Sequence, residues 1–197
     1  MTRQLILQSA LELFTSKGYE GTSMDDIAKA VGIRKASLYS HFSGKESIFS
    51  AIFEDILAEY TAYVDELTAV NDEGDVLAQL KSIFTQFILY CHNNLKMYFW
   101  DRYFYYPPEF LKDYICAKTL ETQDAFLAGI CALLEKGTQL GAVKAQPVRD
   151  LALSYYYLMI GLSMSVKLYD TAALHEDIER SLNGLMQGIA GSVQRKG

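Results

Sequence analysis

Proline is nearly absent from this chain: there are three in 197 residues, two of them adjacent at Pro107-Pro108. The commonest helix breaker is thus missing from most of the sequence, and long stretches are open to helix. Cysteine is as scarce. Cys91, Cys116 and Cys131 are odd in number, widely spaced and set in apolar runs, which argues against a disulfide framework or a metal site and suits buried thiols in a reducing compartment. A membrane-spanning run is missing too. The longest uncharged stretch, 151–166, falls short of about 18 residues and is interrupted by Ser154, Ser163 and Ser165. The N-terminal MTRQLILQSALELF has no small-residue cleavage site and carries Gln4, Gln8 and Glu12, so it reads as a helix rather than an export signal. The expected location is the cytoplasm, with no membrane contact. His92 and His175 are isolated, with no second His or Cys at ligand spacing. No nucleophile elbow, phosphate-binding glycine loop or supported carboxylate pair occurs, so no catalytic residue, metal or cofactor is expected.

What is present is apolar substance. Half of the residues are hydrophobic, enough to fill a substantial core, and with so little proline the expected fold is all-α. The formal net charge of -6 is a poor fit to a nucleic-acid partner until its distribution is read. Residues 1–47 hold Arg3, Lys17, Lys29, Arg34, Lys35 and Lys45 against Glu12, Glu20, Asp25, Asp26 and Glu46, a balance of +1, so the remainder carries -7. Overall acidity therefore leaves room for a basic face near the N-terminus.

In chain order, the apolar stripe Ile6, Ala10, Leu13 and Phe14 predicts a helix over 3–17, ended by Gly18. Ser23 is a natural N-cap for a second helix with Asp25 and Asp26 in its first turn and Ile27, Ala28 and Val31 facing a core. Gly32 stops it, because glycine adopts the left-handed conformation of a sharp turn without steric cost. A third short helix, Arg34 to Phe42, places Leu38 and Phe42 on one face and leaves Arg34, Lys35, Ser37, Tyr39, Ser40 and His41 on the others. That is the pattern of a helix-turn-helix whose second helix enters a major groove. Ser43-x-x-Glu46 reads as a capping box opening a fourth helix, which continues toward Val70 as a connector. Further helices are expected over 76–91, an aromatic segment up to Pro107-Pro108, 109–136, 148–169 and 175–193, with a loop over 137–145. The last helix carries Ser181, Gly184, Gly188 and Gly191 or Ser192 on adjoining positions, small residues that let another helix approach closely. The last two helices are the expected homodimer interface.

Thr22, Ser23, Asp26-Ile27-Ala28, Gly32, Leu38-Tyr39, Phe42 and Lys45-Glu46 fall in the order and spacing of the TetR family of bacterial transcriptional regulators, which the first quarter of the chain resembles. The resemblance implies an N-terminal three-helix DNA-binding domain over 1–47 and a helical domain over 48–197 that dimerises and binds a small effector, with DNA released on binding. It also implies that Thr22 or Ser23 touches the DNA backbone. Lys35 and Ser37 are placed to reach base edges, Tyr39, His41 and Lys45 to meet phosphates. Arg34 stands where a small capping residue is common in the family, and it is a candidate for a phosphate or the minor groove.

The segment 98–114 holds the only tryptophan and a dense set of aromatics. Tyr98, Trp100, Asp101, Tyr103, Phe104 and Phe110, with Tyr155, Tyr156 and Met159 from the late helix, are candidates for an effector pocket; ordinary core packing is the competing reading. Asp101 would suit a lipophilic cation and Arg102 an anion. The expected function is a repressor released from a near-palindromic double-stranded DNA operator by a small lipophilic or aromatic effector. An activator of the same fold and a helical ligand-binding module without DNA function are the alternatives.

Overall fold

The computed structural model describes residues 2–69, 74–92, 94–165 and 171–190. Among these residues it has nine α-helices and no strand, as the all-α expectation required. They are α1 (Thr2–Lys17), α2 (Met24–Val31), α3 (Lys35–Tyr39), α4 (Lys45–Thr68), α5 (Val76–Cys91), α6 (Leu95–Tyr105), α7 (Lys112–Gln139), α8 (Val148–Ser165) and α9 (Thr171–Ile189), with a 3₁₀ turn at Glu109–Leu111. The chain sorts into two compact units: Met1–Ala62 with Asn94–Thr119, and Tyr63–Asn93 with Leu120–Gly197.

In the first unit the apolar stripe of α1 is buried through Ile6, Ala10, Leu11 and Phe14. Phe49 of α4 is the hub: its ring meets Phe14, Tyr19, Phe99, Tyr103 and Phe110 at centroid distances of 5.5, 5.3, 5.1, 4.7 and 6.0 Å. Trp100 stacks with Phe53 and Tyr60 at 5.7 and 5.0 Å. The last carbonyls of α1 are met from α6, that of Phe14 in addition to the Gly18 N–H at 3.0 Å. The Tyr103 hydroxyl donates to the Phe14 carbonyl at 3.0 Å, and Arg102 Nη1 donates to that of Thr15 at 3.2 Å. Gly18 ends α1 with φ +83°, and a Cβ there would lie 2.6 Å from Arg102 Nη2.

Three expected boundaries are corrected. Helix α4 begins at Lys45, not Ser43: the Ser47 hydroxyl donates to the Gly44 carbonyl at 2.8 Å and accepts from the Gly44 N–H at 3.2 Å, so Ser47 closes this helix start in place of the expected Ser43–Glu46 box. Helix α3 ends at Tyr39, although the N–H groups of Ser40, His41 and Phe42 still donate to Ala36 and Leu38 and carry the turn on to Phe42. Helix α7 runs through Gly137 to Gln139, because glycine there serves close packing instead of a turn; a Cβ would lie 2.6 Å from Val143 and 3.0 Å from Val76.

The second unit is built on α5, α7, α8 and α9. Tyr155 lies fully inside it, with its hydroxyl donating to the Leu80 carbonyl at 2.6 Å and its ring edge-on to Phe84. Burial pushes the Tyr155 phenol well above its ordinary pKa, so it remains a donor. Phe126 packs against Phe87 and Tyr156, and Tyr63 stacks on Tyr90 at 3.9 Å. The end of α9 is tied to the loop between α7 and α8 by an antiparallel bridge between Val143 and Ala190, with the Lys144 N–H donating to the Ile189 carbonyl at 2.9 Å. Helix α9 starts earlier than expected, at Thr171; the end expected for α8 beyond Ser165 and the small residues Gly191 and Ser192 lie outside the described residues.

Candidate nucleic-acid interface

The interface begins with a cap. Ser23 is extended at φ -107°, ψ 162°, and its hydroxyl oxygen accepts the Asp26 N–H at 3.1 Å while the Asp26 carboxylate accepts the Ser23 N–H at 2.9 Å. The Ser23 hydroxyl also donates to that carboxylate, and these bonds hold the Asp26 carboxyl below its usual range. Thr22, beside it, is 1% exposed and its hydroxyl donates to the Gly18 carbonyl at 2.8 Å. Its side chain is thus committed to the turn that leads into α2.

Gly32 closes α2 in the left-handed conformation at φ 76°, and its N–H and that of Ile33 return to Lys29 and Ala28. The chain then enters α3 through Arg34, an extended N-cap residue whose side chain makes no capping bond. Leu38 and Phe42 are buried beneath this helix. Arg34, Lys35, Ser37, Tyr39, Ser40 and His41 are all exposed, so each of these polar candidates is open to solvent.

Two lysines are already engaged. Lys35 Nζ pairs with Asp25 of α2 at 3.0 Å, and hydrogen bonding and attraction to that carboxylate raise its pKa. Lys45 Nζ donates to the Tyr19 carbonyl at 2.7 Å and lies 4.0 Å from the centroid of the Tyr19 ring. Burial, with Glu46 and Glu20 nearby, pushes the Tyr19 phenol up to about 12. A recess of about 380 Å³ at the start of α4 is lined by Tyr19, Ser43, Gly44, Lys45, Glu46 and Ser47. Nothing in the sequence pattern signals the Asp25–Lys35 or Tyr19–Lys45 pairs, since each spans elements whose facing is set only by the fold. The contact of Arg3 is likewise unsignalled: its guanidinium carbon lies 5.1 Å from the Phe42 ring centroid.

The aromatic candidates are divided between the units. Tyr98, Trp100, Asp101, Tyr103, Phe104 and Phe110 belong to the first, Tyr155, Tyr156 and Met159 to the second. Trp100 and Tyr103 are core residues of the first unit, and burial pushes the Tyr103 phenol up to about 12. Tyr98, Asp101 and Phe104 are half-buried and Phe110 is exposed. Tyr155, Tyr156 and Met159 are buried in the second unit.

Residues 6–52, which contain this cap, turn and outward helix, match the family model described as bacterial regulatory proteins, tetR family. Over these residues the chain is similar to that family. Curated relatives match part of the chain as well. The negative transcriptional regulator IcaR of the biofilm operon icaADBC in Staphylococcus epidermidis is 37% identical over 83 residues, covering 42% of this chain and 43% of that protein. The IcaR of Staphylococcus aureus strain Newman is 59% identical over 44 residues, 22% of this chain and 24% of the relative. The chain thus spans less than half the length of these relatives. Over nearly the whole chain the likeness to solved structures is one of fold. PfmR of Thermus thermophilus, a TetR-family transcriptional regulator, superposes with a TM-score of 0.70 at 23% identity over 98% of this chain and 99% of its own. The ketosteroid transcriptional regulator KstR2 of Mycobacterium tuberculosis does so at 0.69 and 19%, over 98% and 96%. Among the described residues no helix is long and apolar enough to cross a membrane.

Proposed function

We propose that the chain is a homodimeric DNA-binding transcriptional regulator of the cytoplasm, a repressor that leaves its operator when a small apolar or aromatic effector binds. The observation that carries this reading is α3, a short helix anchored by buried Leu38 that holds Arg34, Lys35, Ser37, Tyr39 and His41 outward beyond a glycine turn. That the IcaR relatives are negative transcriptional regulators favours repression over activation. Residues 1–47 would bind DNA and 48–197 would dimerise and receive the effector.

In this reading Lys35 exchanges Asp25 for a base edge, with Ser37 beside it. Arg34, Tyr39 and His41 take phosphates. Lys45 keeps one N–H on Tyr19 and offers the others, with the α4 N-terminus, to a further phosphate. Thr22 and Ser23 act through the turn and cap they build. Dimerisation through α8 and α9 is supported by the exposed Tyr157, Leu158 and Met164 on α8 and by Gly184 and Gly188 on α9, around which there is open space. A two-fold dimer places its recognition helices about 34–36 Å apart or a multiple of that, so the operator would be a near-palindrome. The effector would be received among the aromatic candidates, Tyr98, Asp101, Phe104 and Phe110 with Trp100 and Tyr103, or Tyr155, Tyr156 and Met159. Its binding would alter the separation of the two heads.

The test is selection of genomic fragments on the full chain, repeated across a ligand panel. Enrichment of a near-palindrome that one ligand class releases is expected; enrichment of no fragment would falsify the reading. On the selected site, affinity should fall steeply with salt, and Lys35→Ala should lower discrimination by about 1–3 kcal/mol at one base position, measured by titrating single-base variants of the operator.

A further inference from the structure

A groove of about 470 Å³ lies in the first unit, lined by one stripe of α1, one stripe of α4 and Lys96 of α6. Leu11, Ile52 and Ile56 line it as buried apolar residues, while Leu5, also in the lining, is 52% exposed and so offers unused apolar surface. The polar part of the lining is unequally matched. Lys96 is paired with Glu59, one turn beyond Asp55 on α4. Asp55 itself has no ion-pair partner among the described residues. The local charges therefore leave one carboxylate uncompensated.

The volume and the pattern fix what fits. From Gln4 to Leu11 the α1 stripe covers two helical turns, about 10 Å. A groove of this volume is the size of a small-ligand site, whereas a stable protein partner needs about 800 Å² on each side, far more than two turns of helix provide. Lys96, the cation of the lining, is already paired with Glu59, so an anion would find its positive charge taken and would meet Asp55; the free carboxylate selects a cation. We infer that the groove is a binding site for an amphipathic amine, with its apolar body on Leu5, Leu11, Ile52 and Ile56 and its ammonium on Asp55. This site uses none of the aromatic residues proposed for the effector and does not depend on that reading. A ligand held by both α1 and α4 ties together the two helices that flank the helix-turn-helix, and so it raises the unfolding temperature of the protein.

The probe is octyltrimethylammonium, kept below its micelle concentration, titrated calorimetrically into the full chain with methyl NMR on the leucines and isoleucines; octanoate and octanol are the controls. One cation per chain is expected, shifting Leu5, Leu11, Ile52 and Ile56 and raising the midpoint of thermal unfolding. Asp55→Asn should weaken binding about fivefold, the scale of an exposed ion pair. Leu5→Gln should weaken it by about the same factor, the scale of a half-buried leucine. Both positions are exposed, and circular dichroism checks that the variants remain folded. The inference is overturned if the cation does not bind saturably, if either folded variant retains wild-type affinity, or if octanoate or octanol binds as tightly as the cation.

Discussion

Helices α3 and α6 lie in the same compact unit, and both are short and rich in residues that suit recognition, yet the fold uses them in opposite ways. The side chains of α3 point outward and only Leu38 is buried within its five residues. Helix α6 sends Met97, Phe99, Trp100 and Tyr103 into the core and binds the end of α1 with Arg102 and Tyr103. The difference lies in what holds each helix. The start of α3 is set by its neighbour in sequence, the Gly32 turn that closes the capped helix α2, while α6 is held by rings and carbonyls roughly 40 to 90 residues away in the chain. A surface fixed by local chemistry can be read from local pattern; a surface fixed by distant packing cannot.

The strongest test of this contrast is Phe49→Ala. Its ring sits among five others, and α6 depends on it through Phe99 and Tyr103. The expected loss is about 3–5 kcal/mol, read from denaturant unfolding, together with loss of DNA binding. A loss below about 1 kcal/mol would mean that α6 is not anchored by the core as described.

Gly18→Ala comes next. The residue must accept a φ of +83°, and its new methyl meets Arg102 2.6 Å away, displacing the guanidinium that bonds the Thr15 carbonyl. A loss of about 1–3 kcal/mol is expected. Gly32→Ala makes the control, since its φ is also positive at +76° but nothing lies near its Cβ. Equal losses at the two positions, compared by denaturant unfolding, would show that the backbone alone sets the cost and that the Arg102 contact adds nothing.

The sequence therefore disclosed the helix-turn-helix head well and the aromatic segment poorly. The cap at Ser23, the turn at Gly32 and the burial of Leu38 follow from chemistry within a few residues, and each was legible. At α4 the same kind of local pattern misled, because Ser43 and Glu46 fit a capping box while Ser47 makes the bonds. The segment 98–110 could be recognised as aromatic but not sorted: Phe99 and Tyr103 are core, Tyr106 is 81% exposed, and nothing in their spacing separates them. Lys35 and Lys45 were legible as cations, yet their partners Asp25 and Tyr19 sit on other elements and emerged only with the fold.

Ser23→Ala sharpens the local side of the comparison. Removing the cap should cost about 1 kcal/mol, measured by thermal or denaturant unfolding. It should also change the acid response. The Asp26 carboxyl is held below its unfolded value of 3.8, so its contribution is present above that pH and is lost as the pH falls through the folded value. The variant keeps the backbone N–H bond to Asp26 and loses the hydroxyl one, so this step should shrink in acid, and a variant with an unaltered acid profile would remove the Ser23 hydroxyl bond from the account.

The smallest effect is expected at Tyr106, where the contrast between the two ends of the aromatic segment is sharpest. Tyr103 shares a helix with Arg102 and gives its hydroxyl to α1, whereas Tyr106 follows the last turn of α6, its ring almost wholly in solvent. Tyr103→Phe should cost about 1 kcal/mol for the lost bond to the Phe14 carbonyl, while Tyr106→Ala should change stability by less than about 0.5 kcal/mol despite removing far more of its side chain. Denaturant midpoints on the two variants decide the matter. If Tyr106→Ala proves the more damaging, its ring is covered in solution by something the isolated chain does not supply, and the aromatic end of α6 must be counted with the binding surfaces rather than with exposed residues of no energetic weight.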